Sequence, residues 1–147
     1  MDTDQSRITP EAFLALLEDS LPQAHAFALE ILSLGAGRAR LRLPYRDLYR
    51  RPGDTISGPT QMALADVGLY LVVMSLTGPA ALAVTVDMNI RFLRKPALAP
   101  LEAEARILRL GRRLAVGEVT IYSAGDVDPV AHATGTYALP QPADNPA

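Results

Sequence analysis

The chain has 147 residues, 49% of them hydrophobic and 20% charged, which is usual for one globular domain. The formal net charge of −2 gives no reason to expect nucleic-acid binding. The absence of cysteine excludes disulfides and a cysteine nucleophile, and His25 and His132 are the only imidazoles.

The first predicted elements are a helix and a hairpin. Thr9 fits an N-cap and Pro10 the first helical turn, so a helix is predicted from Pro10, ended at the latest by Pro22. Alternating apolar residues then predict two strands, over residues 27–31 and 38–43, joined by a turn at Gly35-Ala36-Gly37.

The next predicted element is a long central helix. Gly58-Pro59 begins it, and Gly78-Pro79 ends it after Thr77. The segment is apolar nearly all round, so protein must surround it. Asp66 and the prolines interrupt the apolar stretch, and acids rather than a basic and apolar leader occupy the N-terminus. We therefore expect a cytoplasmic protein with no membrane partner.

Four further strands are predicted, over residues 82–94, 101–110, 113–123 and 130–139. The order of helix, two strands, buried helix and four strands favours an α+β hotdog fold: a six-stranded antiparallel sheet wrapped around the long helix, plus a short N-terminal helix. We predict a single domain over residues 1–147, with a core over 9–139 and a disordered tail over 140–147.

Asp66 is the first candidate for chemistry, because it is the only charged residue between Asp54 and Asp87. An isolated carboxylate in an apolar interior is costly unless it is paired or hydrated. The spacing alone favours neither of two interpretations of Asp66. Asp66 either forms a structural hydrogen bond at a subunit contact or acts as a general base or nucleophile at a cleft.

Two other segments offer polar groups. The turn at Ser57-Gly58 presents the free amides of a helix N-terminus, which suit an oxyanion, although a plain helix cap is the simpler interpretation. In the segment TVDMNIRFLRKPA, alternation predicts Thr85, Asp87 and Asn89 on one face of an internal strand, lining a groove or facing water. Cations at strand ends could bind phosphates or merely be scattered surface charge: Arg91, Arg94, Lys95, Arg112 and Arg113.

Two motifs resemble those of the hotdog-fold acyl-CoA thioesterases of the phenylacetic-acid-degradation type (PaaI-like, or 4-hydroxybenzoyl-CoA thioesterase type). In RPGDTISGPTQMALAD, the spacing from Ser57 to Asp66 matches the family spacing from His to Asp. VTVDMNIRFLRKPA is similar to a later family strand. The resemblance spans residues 26–139.

The resemblance implies a thioester hydrolase in which Asp66 activates water, Thr85 helps hold that water, and the Gly58 amide, with Ser57 beside it, polarises the carbonyl. It implies a site shared across a homodimer, with a homotetramer beyond it. Coenzyme A would be part of the substrate, with no separate cofactor and no metal. The candidate substrate-binding residues are Arg51, Gln61, Asn89, Arg94, Lys95, Arg112 and Arg113.

The chain departs from the family pattern at the helix start. Ser57 replaces the family His, Arg51 stands where Asn is frequent, Asp54 replaces a Gly, and Pro59, which has no N–H, replaces another. Two alternatives therefore stay open. One is a non-catalytic acyl-CoA binder, and the other is a hotdog hydratase or dehydratase, which needs His132 beside Asp66.

Overall fold

The computed structural model describes residues 4–142 and begins with two helices and a hairpin. Thr9 caps the first helix, and its Oγ1 accepts a hydrogen bond from the Ala12 amide at 3.1 Å. The elements up to the central helix are α1 (Pro10–Ser20), α2 (Pro22–His25), β1 (Glu30–Gly35), β2 (Arg38–Leu43), a 3-10 turn (Asp47–Tyr49), β3 (Arg50–Arg51) and β4 (Thr55–Ile56).

The central helix and four strands follow: α3 (Gly58–Thr77), β5 (Val84–Phe92), β6 (Leu101–Leu110), β7 (Leu114–Ser123) and β8 (Ala131–Ala138). The main sheet has the order β1-β2-β6-β7-β8-β5, with every neighbouring pair antiparallel. It curves around α3, so the predicted hotdog architecture is confirmed.

Small residues in the sheet let α3 approach closely. A Cβ added at Gly135 would lie 2.6 Å from Leu69 Cδ1, and one added at Gly117 would lie 2.8 Å from Leu69 Cδ2. Leu69 is 1% exposed and fills the space that the two glycines leave. This packing fixes the depth of α3 in the sheet and therefore the height of every side chain it carries.

The length and hydropathy of α3 would suffice to cross a membrane. Here it is the core helix of the fold, because the inner faces of β2, β5, β6, β7 and β8 all pack against it. A helix that is apolar nearly all round, as this sequence predicts, is typical of a helix surrounded by protein.

Several predictions differ from the structure in detail. The first strand begins at Glu30 rather than at residue 27, because the helix α2 and a left-handed residue, Ala28 with φ 51°, occupy the preceding segment. Strand β5 is an edge strand, not the internal one predicted, because β8 pairs with only one of its sides. The predicted disordered tail lies, from residue 143 onward, outside the described residues.

A bulge in β5 also overturns the predicted alternation of its side chains. Thr85 lies opposite Tyr137 and Asp87 opposite Thr136, so Val86 is an extra residue without a partner on β8. The strand therefore changes phase at Val86, and Thr85 does not share a face with Asp87.

Candidate active site

A cluster of one carboxylate and two hydroxyl groups lies where α3 meets the start of β5 and the end of β8. Thr85 Oγ1 donates a hydrogen bond to Asp66 Oδ1 at 2.5 Å, and the Tyr137 hydroxyl donates to the same oxygen at 2.7 Å. Asp66 is half-buried and Thr85 is exposed, so water reaches the cluster from the open edge of the sheet.

The two oxygens of the Asp66 carboxylate differ. Within residues 4–142 every hydrogen bond to the carboxylate goes to Oδ1, which leaves Oδ2 without a protein donor. None of the ion pairs among these residues includes Asp66. The charge is thus stabilised by neutral donors and stays available at Oδ2.

Tyr137 is the member of the cluster that the sequence analysis missed. It is 4% exposed, and its ring stacks on Tyr70 with centroids 5.9 Å apart. Burial, and next the charge of Asp66, raise the pKa of Tyr137 far above its ordinary value, so the phenol stays protonated and acts as a donor. The sequence held one signal for this residue. Small residues alternate along β8 at Ala131, Ala133 and Gly135, and the same alternation places Tyr137 on the inward face.

The bulge at Val86 places Thr85 in this cluster. On β5, the residues that lie opposite the buried positions of β8 are Thr85, Met88, Ile90 and Phe92. Asp87 and Asn89 instead pair with Thr136 and Thr134, on the outer face of the sheet. The prediction that Thr85, Asp87 and Asn89 share one face of the strand is therefore wrong. Asn89 lies on the face of the sheet opposite to Asp66.

A cavity of about 580 Å³ lies at the start of α3 and is called here the helix-end cavity. Gly58 is the first residue of α3, and its amide has no acceptor among the described residues, as expected at a helix N-terminus. The Phe92 ring covers Gly58 closely, since an added Cβ would lie 3.3 Å from Phe92 Cζ. Only glycine fits here without displacing that ring.

Ser57 is the N-cap of α3. Its Oγ accepts a hydrogen bond from the Thr60 amide at 3.4 Å and lies 2.8 Å from Thr60 Oγ1. The hydroxyl is thus engaged in capping, the simpler of the two interpretations that the sequence allowed. Pro59, in the first turn, contributes no amide, so Gly58 supplies the free amide at the tip of the helix.

The helix-end cavity brings together Gly58 and four of the predicted substrate-binding residues, and Asp66 does not line it. Arg94 is partly engaged by Asp126 at 3.0 Å, whereas Arg51 and Lys95 form no ion pair within residues 4–142. No acidic side chain of the described residues lines the cavity, so the charged side chains in its lining are all cations. The predicted residues that line it are Arg51, Gly58, Gln61, Arg94 and Lys95.

Gln61 is 3% exposed and lines the same cavity. Its Nε2 donates to the Ile56 carbonyl at 3.3 Å, while its Oε1 has no donor in the part of the chain that the structure describes. A buried amide oxygen without a partner is costly and suits a ligand donor.

The remaining predicted residues lie elsewhere. Arg112 and Arg113 are in the β6–β7 turn, beside the end of β8 and the start of β5, so they lie at the opposite end of the strands from Arg94 and Lys95. His132 lies on the outer face, 3.2 Å from Glu118 Oε2, and gives Asp66 no imidazole. No group of three His, Asp or Glu residues in the described chain could hold a metal ion.

Asp66 and Gly58 of one chain lie apart on α3. They are eight positions apart, about 12 Å along the helix axis. Asp66 does not line the helix-end cavity. The described chain thus carries two separate groups, called here half-sites: the carboxylate cluster, defined by Asp66, Thr85 and Tyr137, and the helix-end cavity.

Comparison with known proteins identifies the family of this chain. The model of the thioesterase superfamily matches residues 53–130, more than half of the chain, so the chain belongs to the thioesterase superfamily. That membership points to a hydrolase of the esterase or thioesterase class. The matched segment carries Gly58, Asp66 and Thr85 and ends before Tyr137.

Individual relatives agree with this membership. A putative thioesterase from Silicibacter sp. TM1040 is 38% identical, with 95% of this chain and 97% of that one covered and a TM-score of 0.84. A mutant of the phenylacetic acid degradation protein PaaI from Thermus thermophilus is 29% identical, with 81% and 99% covered and a TM-score of 0.71. A putative esterase from Halobacterium salinarum is 35% identical over 95 residues, which are 61% of this chain and 62% of that protein.

Proposed function

We propose that this protein is an acyl-CoA thioesterase of the phenylacetic-acid-degradation type, with coenzyme A as part of the substrate and no further cofactor. The observation that carries the proposal is the Asp66 carboxylate, whose Oδ1 is bound by two hydroxyls while Oδ2 has no donor or cation among the described residues. Such a carboxylate is suited to accept a proton from water.

The reaction is a hydrolysis with Asp66 as general base. Oδ2 takes a proton from water as the water oxygen bonds to the thioester carbon, and the Thr85 hydroxyl, while donating to Oδ1, accepts the second water proton as a hydrogen bond. The Gly58 amide stabilises the oxyanion. Collapse of the tetrahedral intermediate breaks the C–S bond, and the thiolate takes the proton from Asp66.

The reaction needs a second copy of the chain, because one chain carries the two half-sites apart. Edge strand β5 is available for pairing and exposes large apolar side chains, such as Val86 at 59% and Phe92 at 50%. Antiparallel pairing of two β5 strands would set the Thr85 end of one beside the Phe92 end, and hence the Gly58 amide, of the other. We therefore propose a homodimer with two shared sites.

The proposed assembly goes one step further, to a homotetramer of two such dimers. Its support is a second set of exposed apolar side chains around the β6–β7 turn: Leu108, Leu110 and Leu114. Light scattering on the purified protein measures the mass directly. A monomer at micromolar concentration would contradict both the shared site and the tetramer.

The helix-end cavity supports coenzyme A as the carrier. Its positive lining at Arg51, Arg94 and Lys95 suits phosphates, and Gln61 Oε1 can accept an N–H from a pantetheine amide. In the proposed dimer, Arg112 and Arg113 of the partner subunit would approach this cavity from the far end of β5. We place the activity in the cytoplasm, where acyl-CoA is made and used.

The first experiment measures thiol release from short, long and aromatic acyl-CoAs by the wild type and by Asp66→Asn. We expect hydrolysis of at least one acyl class by the wild type and a loss of about 10³-fold in the variant. Asp87→Asn is the matched control, because Asp87 is an exposed carboxylate on the outer face of β5. Equal rates for wild type and Asp66→Asn would refute the mechanism.

The second experiment tests the shared site by complementation. Asp66→Asn removes the base, and Gly58→Val covers the amide with a side chain that meets Phe92, so each homodimer should be inactive. In a mixed dimer, one of the two sites has both an intact Asp66 and an intact Gly58. Co-expression should therefore restore about a quarter of wild-type activity in a statistical mixture, whereas a site within one chain restores none.

The alternative is a non-catalytic acyl-CoA binder, and the observation that favours it is the engagement of Ser57 as a helix cap. It predicts calorimetric binding of acyl-CoA that leaves the thioester intact for hours. Thiol release from any acyl-CoA, lost in Asp66→Asn, decides against it.

A further inference from the structure

The Tyr137 hydroxyl touches Asp66 at two points. It lies 2.7 Å from Oδ1 and 2.9 Å from the Asp66 backbone oxygen, so one donor ties the side chain to the main chain of its own residue. A carboxylate held in this way has little freedom to rotate. Thr85 holds the same oxygen from the neighbouring strand, directly opposite Tyr137.

The position of the phenol is itself fixed. Its ring stacks on Tyr70 at an interplanar angle of 26°, and the Tyr70 hydroxyl is bound to the Ala81 carbonyl at 2.8 Å. Both rings are buried, at 4% and 5% exposure. A donor in so rigid a setting keeps its geometry through a reaction, which is what preorganisation requires.

We propose that Tyr137 is a positioning residue for catalysis, which with Thr85 clamps Asp66 Oδ1 and so directs Oδ2 alone at the attacking water. The inference rests on the proposed thioesterase function and adds a residue to its machinery. Tyr137 acts through Asp66 and touches no substrate atom. Its neutral hydroxyl stabilises the carboxylate and leaves the negative charge in place, whereas an arginine would neutralise that charge.

The experiment compares Tyr137→Phe with Tyr122→Phe. Each removes one hydroxyl and keeps the ring, but Tyr122 lies opposite Glu102 on the outer face of the sheet, away from Asp66. We expect kcat to fall about 10- to 100-fold in Tyr137→Phe with KM within about twofold, since a hydrogen bond to a charged group is lost. Tyr122→Phe should keep both values within about twofold.

A double variant separates positioning from structural support. If Tyr137 acts through Asp66, Tyr137→Phe has no further effect in the Asp66→Asn background. A loss there as large as in the wild-type background, or wild-type kcat in Tyr137→Phe, overturns the proposal. If Tyr137→Phe does not fold, proton NMR of the wild type tests the clamp. A slowly exchanging Tyr137 hydroxyl resonance that moves in Asp66→Asn supports the proposal, and the absence of such a resonance overturns it.

A readout without substrate separates this proposal from the proposed function. Carbon NMR follows the Asp66 carboxyl resonance at one pH near neutrality. Loss of the Tyr137 hydrogen bond to Oδ1 should shift this resonance in Tyr137→Phe but not in Tyr122→Phe. If the wild type hydrolyses no acyl-CoA, the proposed function fails. A resonance that does not move instead removes Tyr137 from its role even in an active enzyme.

Discussion

Two carboxylates on opposite sides of the main sheet have contrasting partners. On the inner side, Asp66 of α3 accepts two hydroxyl donors at one oxygen and has no cation among the described residues. On the outer face, Glu102 is bound at both oxygens, by Arg42 at 2.8 Å and by Arg40 at 3.0 Å. Hydroxyl partners leave a carboxylate with its charge and a free oxygen, whereas two arginines cancel the charge and occupy both oxygens.

The pKa values reflect the outer arrangement. Hydrogen bonds from Arg42, and next from Arg40, hold the pKa of Glu102 below its usual range despite its burial at 9% exposure. Arg106, and next His132, do the same for the pKa of Glu118. The outer carboxylates are thus engaged in ion pairs, whereas the Asp66 carboxylate keeps one oxygen open for the proposed chemistry.

The largest expected effect is on the inner carboxylate. Asp66→Asn should lower kcat/KM about 10³-fold while the free energy of unfolding changes by less than about 1 kcal/mol, because the amide can still accept from Thr85 and Tyr137. Urea unfolding beside thiol release measures both quantities. A large loss of stability would make Asp66 a structural residue like Glu102.

The reverse is expected of the outer carboxylate. Glu102→Gln should lower the free energy of unfolding by about 1 kcal/mol, because Arg40 and Arg42 lose a buried charged acceptor while their own side chains stay about 40% exposed. Thiol release per folded molecule should not change. Glu104→Gln is the control, since Glu104 is about half exposed and binds Arg40 alone among the described residues, and its effect should stay below about 0.5 kcal/mol.

Unfolding at acid pH should show the contribution of the outer carboxylates to stability. The folded pKa of Glu102 and of Glu118 lies below the unfolded value, so their contribution to stability is complete above about pH 4.5 and is lost as the pH falls through the folded pKa. Unfolding of wild type and Glu102→Gln from pH 6 to 3 should converge at the acid end. Parallel curves over that range would refute the assignment.

An effect of similar size is expected at the helix cap. Ser57→Ala should lower the free energy of unfolding by about 1 kcal/mol, because the Thr60 amide loses its acceptor. Ser57→Asn, which also caps, should restore it. If Ser57→Ala instead abolishes thiol release and keeps stability, the hydroxyl belongs to the catalytic machinery.

The sequence was sufficient for the fold because its signals there are local. Gly58-Pro59 and Gly78-Pro79 bound α3 at the predicted residues, and the apolar circumference of α3 predicted its enclosure. Asp66, Gly58 and Thr85 were candidates from the sequence pattern itself, and the resemblance added their catalytic roles. The distance between Asp66 and Gly58 along α3 then separated them into two half-sites.

The rest of the site depends on pairing between strands, which one strand does not encode. Residues 84–89 read as a perfect alternation, and nothing in them marks Val86 as the extra residue. Only the register against β8 shows that Thr85 faces Tyr137. Asn89 was assigned to the site for that reason and lies on the other face.

The extra residue on β5 also has a consequence for comparing relatives. It divides the strand into two reading frames: Thr85 belongs to the frame of the carboxylate cluster, and Met88 and Ile90 belong to the frame of the core. Two inward side chains are thus three positions apart, where a regular strand would have two. In a relative without Val86, the hydroxyl that meets the helix carboxylate stands two residues before the first core position, and an alignment without a gap would select its neighbour instead.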